Sequence, residues 1–183
     1  MRRHLWQVAY RQCICACALC LAILIATGAI AASGNTAPYA VTITYASGAM
    51  ASRGAEVVLD IEVTNLHAQK NDKWIAAIVL DFSETHVMPL DSGPLPPDWQ
   101  GVLEKQGVVT FTAGHGVSAL SRGTSVRLAP RVLLPVDTTD VIPPRVFVVP
   151  LKFMQSFQGP ALKALKGGRY REVKPVANLR MTQ

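Results

Sequence analysis

The chain has 183 residues, half of them apolar, which is enough for one ordinary domain with a sizeable core and excludes a disordered polypeptide. Its formal charge of +6 raises the question of nucleic acid, yet residues 32–151 carry eight basic and eleven acidic groups, whereas residues 152–183 carry seven basic groups against Glu172 alone. The body is mildly acidic, only the tail is basic, and nucleic acid is not an expected partner.

Residues 1–12 form a positive segment with Arg2, Arg3 and Arg11, and residues 13–26 form an uncharged apolar run. Ala29-x-Ala31 then fits the small-residue rule for signal peptidase, so residues 1–31 read as a signal peptide and the mature chain begins at Ala32. The rival reading is an uncleaved membrane anchor, because residues 13–32 are uncharged and mostly apolar, long enough to cross a hydrocarbon core of about 30 Å. Either way the domain is expected to be exported, to the periplasm or the outside of the cell. Cys13, Cys15, Cys17 and Cys20 are the only cysteines and all lie in this run, beside Ile14, Ala16, Ala18 and Leu19. They read as small hydrophobes rather than zinc ligands, and the exported domain is left without disulfides. Leu19 before Cys20 departs from the small residue that lipidation requires.

Residues 32–37 are a small polar linker. Strand patterns follow across residues 38–153. Val41, Ile43 and Tyr45 alternate with threonines, and residues 56–64 place Val57, Leu59, Ile61 and Val63 on one face and Glu56, Asp60, Glu62 and Thr64 on the other. After a polar turn from Asn65 to Asp72, residues 74–82 are apolar on both faces, as a strand covered on two sides should be. Residues 107–113, 123–129, 131–136 and 145–153 complete about seven strands; Pro130 should bend or end the strand at 123–129, and Pro150 predicts a sheet edge for the last strand. Such a count, with proline-rich crossings at 94–97 and 143–144, predicts an all-β antiparallel sandwich. Residues 154–183 are a basic tail in which Pro160 and the run Ala161 to Lys166 predict one short helix, stopped by Gly167-Gly168.

The order of features from Asn65 to Ala129 carries a resemblance. A polar Asn turn, an apolar strand, the segment Pro96-Pro97-Asp98-Trp99-Gln100-Gly101, a strand closing on Thr112-Ala113-Gly114, and Leu120 with Gly123 before another strand resemble the immunoglobulin-like domains of bacterial secreted and cell-surface proteins. The resemblance implies that fold and a binding, adhesive or accessory role. One group of such domains holds copper through an N-terminal histidine and a nearby tryptophan; the expected mature start, Ala32-Ser33-Gly34, lacks the histidine, so copper is not carried over.

Few residues point to chemistry. His86-x-Met88 would place two soft donors on one side of an extended segment and, with a third ligand from His67 or His115, could hold copper. Ser118, Ser121, His115 and Asp137 match a hydrolase by residue type alone, without a nucleophile elbow, phosphate loop or dinucleotide fingerprint. Trp99, after a proline-rich loop, is the candidate ligand-binding residue, as an aromatic platform for glycan. The candidate partner-binding residues are Lys163, Lys166, Arg169, Arg171 and Lys174, which suit an anionic lipid head group, a cell-wall polyanion or an acidic protein. The apolar strands exceed what a free sandwich needs, so either the tail folds back over one sheet or another subunit covers it. The sequence therefore predicts a non-enzymatic, cofactor-free exported module working by contact with an envelope or surface protein, or with a second copy of itself.

Overall fold

The computed structural model describes residues 38–48, 50–66, 74–105, 107–114, 119–138, 140–156 and 170–182, without the side chains of 154–156. Two sheets face each other. The first contains β1 (Tyr39–Tyr45), β2 (Glu56–Asn65), β4 (Met88–Asp91), β7 (Ser125–Leu128), β8 (Arg131–Leu133) and β11 (Val176–Asn178), in the order β11-β1-β2-β8-β4 with β7 also on β2. The second contains β3 (Ile75–Asp81), β5 (Trp99–Glu104), β6 (Val108–Ala113), β9 (Arg145–Pro150) and β10 (Arg171–Val173), in the order β10-β9-β3-β6-β5. Neighbours pair antiparallel except β1 and β11, which run parallel, Thr42 opposite Val176.

Alternation decides which face of the first sheet is wet. Along β2, Leu59, Ile61 and Val63 turn inward and are fully buried, while Asp60, Glu62 and Thr64 turn out beside Thr44, Thr42 and Ala40 of β1. Ile43, Leu59, Ile61, Ile78, Leu80, Phe111 and Leu128 form the centre of the core between the sheets. Each fully buried side chain of this size contributes about 1.5–3 kcal/mol. Pro130 ends β7 at Leu128, and the partner strand of β2 resumes as β8; across the gap the Pro130 carbonyl accepts the Leu59 N–H at 3.0 Å.

β3 is buried at every residue. Ile78 and Leu80 enter the main core, whereas Val79 turns to the other face and packs with Val108 and Phe147, against which Tyr170 rests. The apolar excess on this sheet is thus met in part by the chain's own tail. The sequence reading ends the strands at Phe153, but β10 adds to β9 and β11 adds to β1, so residues beyond that boundary close one flank of both sheets. For the same reason β9 is not the edge that Pro150 suggested. β10 covers Val146–Val148, and Pro150 is the last strand residue, opposite Ile75 beyond the end of β10, where the β3–β9 ladder shifts register between Ile75 and Ala77. The short helix expected at 161–166 lies outside the described residues, as does residue 1–37 with the export segment. Among the described residues no helix is long and apolar enough to cross a membrane.

Asn65, at the start of the polar turn read from the sequence, is fully buried. Its Nδ2 donates to the Leu120 carbonyl at 2.8 Å, and its own carbonyl accepts the Gly123 N–H at 2.7 Å. Leu120 in turn exchanges backbone bonds with Ile75, so one asparagine joins the end of β2 to the start of β3 through the β6–β7 connection.

Candidate functional site

Trp99 is brought into place by a strained turn. Asp98 has φ +62°, in the left-handed region, and its carbonyl accepts the Gly114 N–H. Gly114 admits that approach because a Cβ there would stand 2.9 Å from the same oxygen. The turn swings Trp99 to the head of β5, opposite Ala113, with its side chain in the core and only 7% exposed. The stacking platform expected from the sequence is therefore not presented: the indole is a packing residue.

The expected basic cluster is only partly within the described chain. Arg171 and Lys174 are exposed, on either side of buried Val173; Lys163, Lys166 and Arg169 lie outside the described residues. His86 and Met88 are both exposed at the start of β4, in a loop held by Thr85, whose Oγ1 donates to the Phe82 carbonyl at 2.9 Å. No group of three His, Cys, Asp or Glu side chains able to hold a metal occurs among the described residues, and His67 and His115 lie outside them. Of the hydrolase candidates, Ser121 precedes β7 near the Thr64 end of β2 and Asp137 follows β8 near its Glu56 end, so these two lie apart; Ser118 and His115 lie outside the described residues.

Two ionic clusters, not foreseen from the sequence, organise the outer faces. On the first sheet Arg131 donates from Nε to Asp91 Oδ2 at 2.7 Å, from Nη2 to the same oxygen, and from Nη1 to Glu56 Oε1 at 2.8 Å, tying β8 to β4 and β2. The Arg131 hydrogen bond holds the Asp91 carboxyl below its ordinary range, helped by the Gly93 N–H and opposed by slight burial. On the second sheet Arg145 grips both oxygens of Glu172, at 3.1 and 3.2 Å, reaches Glu84 at 3.3 Å and lies over the Phe147 ring. Glu172 raises the Arg145 pKa further, and the pair fastens β10 to β9. Both clusters are solvent-exposed, so they align strands more than they stabilise them.

On the flank opposite β10 and β11, β4 and β5 are the sheet edges. Four large apolar side chains are exposed there: Met88 on β4, Leu95 on the crossing, and Val102 and Leu103 on β5, the last two at 58% and 42%. Leu95 and Ser92 back onto β5 at Gly101, where an added Cβ would come within 2.5 Å of the Ser92 side chain. The adjacent pair Val102-Leu103 is apolar, but the strand patterns of the sequence pass from residues 74–82 to 107–113 and include no strand there.

No protein-family model matches the chain, and no curated protein matches it. Among solved structures, an uncharacterized protein of Nocardia farcinica with an immunoglobulin-like fold superimposes with a TM-score of 0.50 and 15% identity, over 78% of this chain and 98% of that one. The seventh ScaB type I cohesin of Pseudobacteroides cellulosolvens is also 15% identical, over 79% and 94% of the two chains, with a TM-score of 0.32. The sheet order, the buried inner faces and the first of these likenesses agree on the architecture: residues 38–182 contain an immunoglobulin-like β-sandwich.

Proposed function

We propose that the chain is an exported, non-enzymatic immunoglobulin-like module that works by protein contact, as a subunit or accessory factor of an envelope or surface complex. The observation that supports this reading most is the β4–β5 flank, where Met88, Leu95, Val102 and Leu103 expose apolar surface beside two open sheet edges. The N-terminal segment supports export, and the basic groups Lys163, Lys166, Arg169, Arg171 and Lys174 suit an anionic membrane or cell-wall surface next to the complex. Crosslinking and mass spectrometry on intact cells tests the proposal. It expects crosslinks between lysines such as Lys105 or Lys174 and a protein of the envelope; a chain that is recovered without any intermolecular crosslink, or only with cytoplasmic proteins, overturns it.

A further inference from the structure

We propose that β5 is a self-association edge: two copies of the chain pair antiparallel along Trp99–Glu104, about a two-fold axis at Val102, and so join their second sheets edge to edge. The inference rests on the protein-contact reading and names its surface and partner.

Among the described residues five strands pair on one side only, β4, β5, β7, β10 and β11, and the comparison among them selects β5; β7 has four residues and carries the exposed Arg127. β4 carries Pro89 and a register shift between Pro89 and Asp91, and its end is tied by Arg131. β10 has three residues, two of them the charged Arg171 and Glu172, and β11 has three residues preceded by Lys174 and Pro175. Prolines, charges, bulges and shortness are the devices that keep edges from pairing. β5 is the longest of the five, runs five residues from Trp99 to Leu103 without a charge or a proline, and pairs with β6 alone. Two of its three exposed residues, Val102 and Leu103, are large and apolar.

Symmetry and charge then select the partner and the register. Residues that face each other across an antiparallel pair project to the same side, so a two-fold axis normal to the sheet must set one residue against its own copy. With the axis at Val102, the two valines meet, Gln100 faces Glu104 of the other copy, and Gly101 faces Leu103. Glu104, whose Oε1 already accepts from Thr110 Oγ1 at 2.7 Å, faces an amide rather than a second carboxylate, and each leucine faces the place where Ser92 and Leu95 lie over Gly101. Shifting the axis to Gly101 sets Asp98 against Glu104, a like-charge pair, and shifting it to Leu103 leaves Glu104 against Val102. A second copy therefore satisfies this edge in one register.

Sedimentation of the full chain, in detergent where the N-terminal segment is retained, tests this. A concentration-dependent dimer is expected. Val102→Lys places two ammonium groups on the axis and should weaken association by at least about tenfold, with an unchanged melting temperature because Val102 is exposed. Gln100→Glu should weaken the dimer and Gln100→Lys should tighten it. Oxidation of Val102→Cys, in a chain whose Cys13, Cys15, Cys17 and Cys20 are serine, should give a covalent dimer. A monomer at every concentration, or a dimer indifferent to Val102→Lys, overturns the proposal, and equal effects of the two Gln100 variants overturn the register. An envelope partner captured by a strictly monomeric chain, and lost in Val102→Lys, would assign β5 to another protein's strand, sinking this inference while leaving the protein-contact reading. A dimer without any envelope partner would do the reverse.

Discussion

Gly93 lies directly against the backbone of Ala129: a Cβ on Gly93 would stand 1.8 Å from the Ala129 carbonyl oxygen, and the residue has φ +65°. The contact seats the end of β4 over the break between β7 and β8, and the Gly93 N–H donates to Asp91 Oδ1 at 2.8 Å. Any side chain here must displace backbone. Gly93→Ala should therefore cost at least about 3 kcal/mol, the left-handed penalty of about 1–2 kcal/mol plus the strain of moving β4. Gly123, at φ +75° with open space around it, is the internal comparison. Gly123→Ala should cost only the left-handed term. Urea denaturation of both variants measures the difference, and equal losses would show that the Gly93 contact yields freely.

This contact also shows which parts of the fold the sequence could and could not declare. The strands β1, β2, β3, β6, β7, β8 and β9 were legible because each carries an apolar alternation or run that depends only on burial. β4 and β5 were not. Pro89 and Gly101 argue against strands locally, and both are admitted only by tertiary circumstances: Pro89 is on an edge, and Gly101 leaves room for Ser92 and Leu95. β10 and β11, three residues each, have no periodicity to read; pairing with β9 and β1 defines them. Trp99, expected as an exposed platform, is buried, and so is the turn residue Asn65, for one shared reason. Turn-forming composition marks where the chain bends and says nothing about which side of the bend faces the core.

Tyr45 closes β1 with its ring in the core, and its hydroxyl is buried without a hydrogen-bond partner among the described residues. Burial pushes the phenol pKa up. An unsatisfied buried hydroxyl costs free energy that the isosteric phenylalanine does not, so Tyr45→Phe should stabilise the fold by about 1 kcal/mol. The pKa direction gives a second signature. A group that binds its proton more tightly when folded loses its stabilising contribution as pH rises through the ordinary tyrosine range, so the variant should also show a shallower alkaline decline. Thermal melts across alkaline pH report both. A destabilised Tyr45→Phe would mean that the hydroxyl has a partner.

Asp91 shows the opposite sign. Its carboxyl, held below the ordinary aspartate range first of all by the Arg131 hydrogen bond, binds a proton less readily when folded. The stability it contributes is present at neutral pH and is lost as pH falls through the ordinary aspartate value towards the lowered one. Asp91→Asn should remove that part of the acid limb, leaving a flatter stability profile under acid, while Glu56→Gln, at the weaker end of the Arg131 fan, should leave most of it. Both groups are exposed, so the expected change is small and should shrink further in high salt. An acid limb unchanged in Asp91→Asn would show that other carboxylates carry it.

Trp99 separates a packing role from a binding one. As a glycan platform its removal would abolish ligand retention and leave stability within about 0.5 kcal/mol, the usual range for a surface substitution. As the buried head of β5 its removal opens a cavity beneath Ala113 and the Asp98 turn, so Trp99→Ala should cost about 3–5 kcal/mol, with a smaller loss for Trp99→Phe, which keeps an aromatic ring in the site. Because β5 is an edge held only by β6, that loss should appear first as faster amide exchange along Gln100–Glu104 and only then as a lower global midpoint. Exchange that accelerates uniformly across both sheets would instead make Trp99 a cornerstone of the whole core, and unchanged stability would return it to the surface.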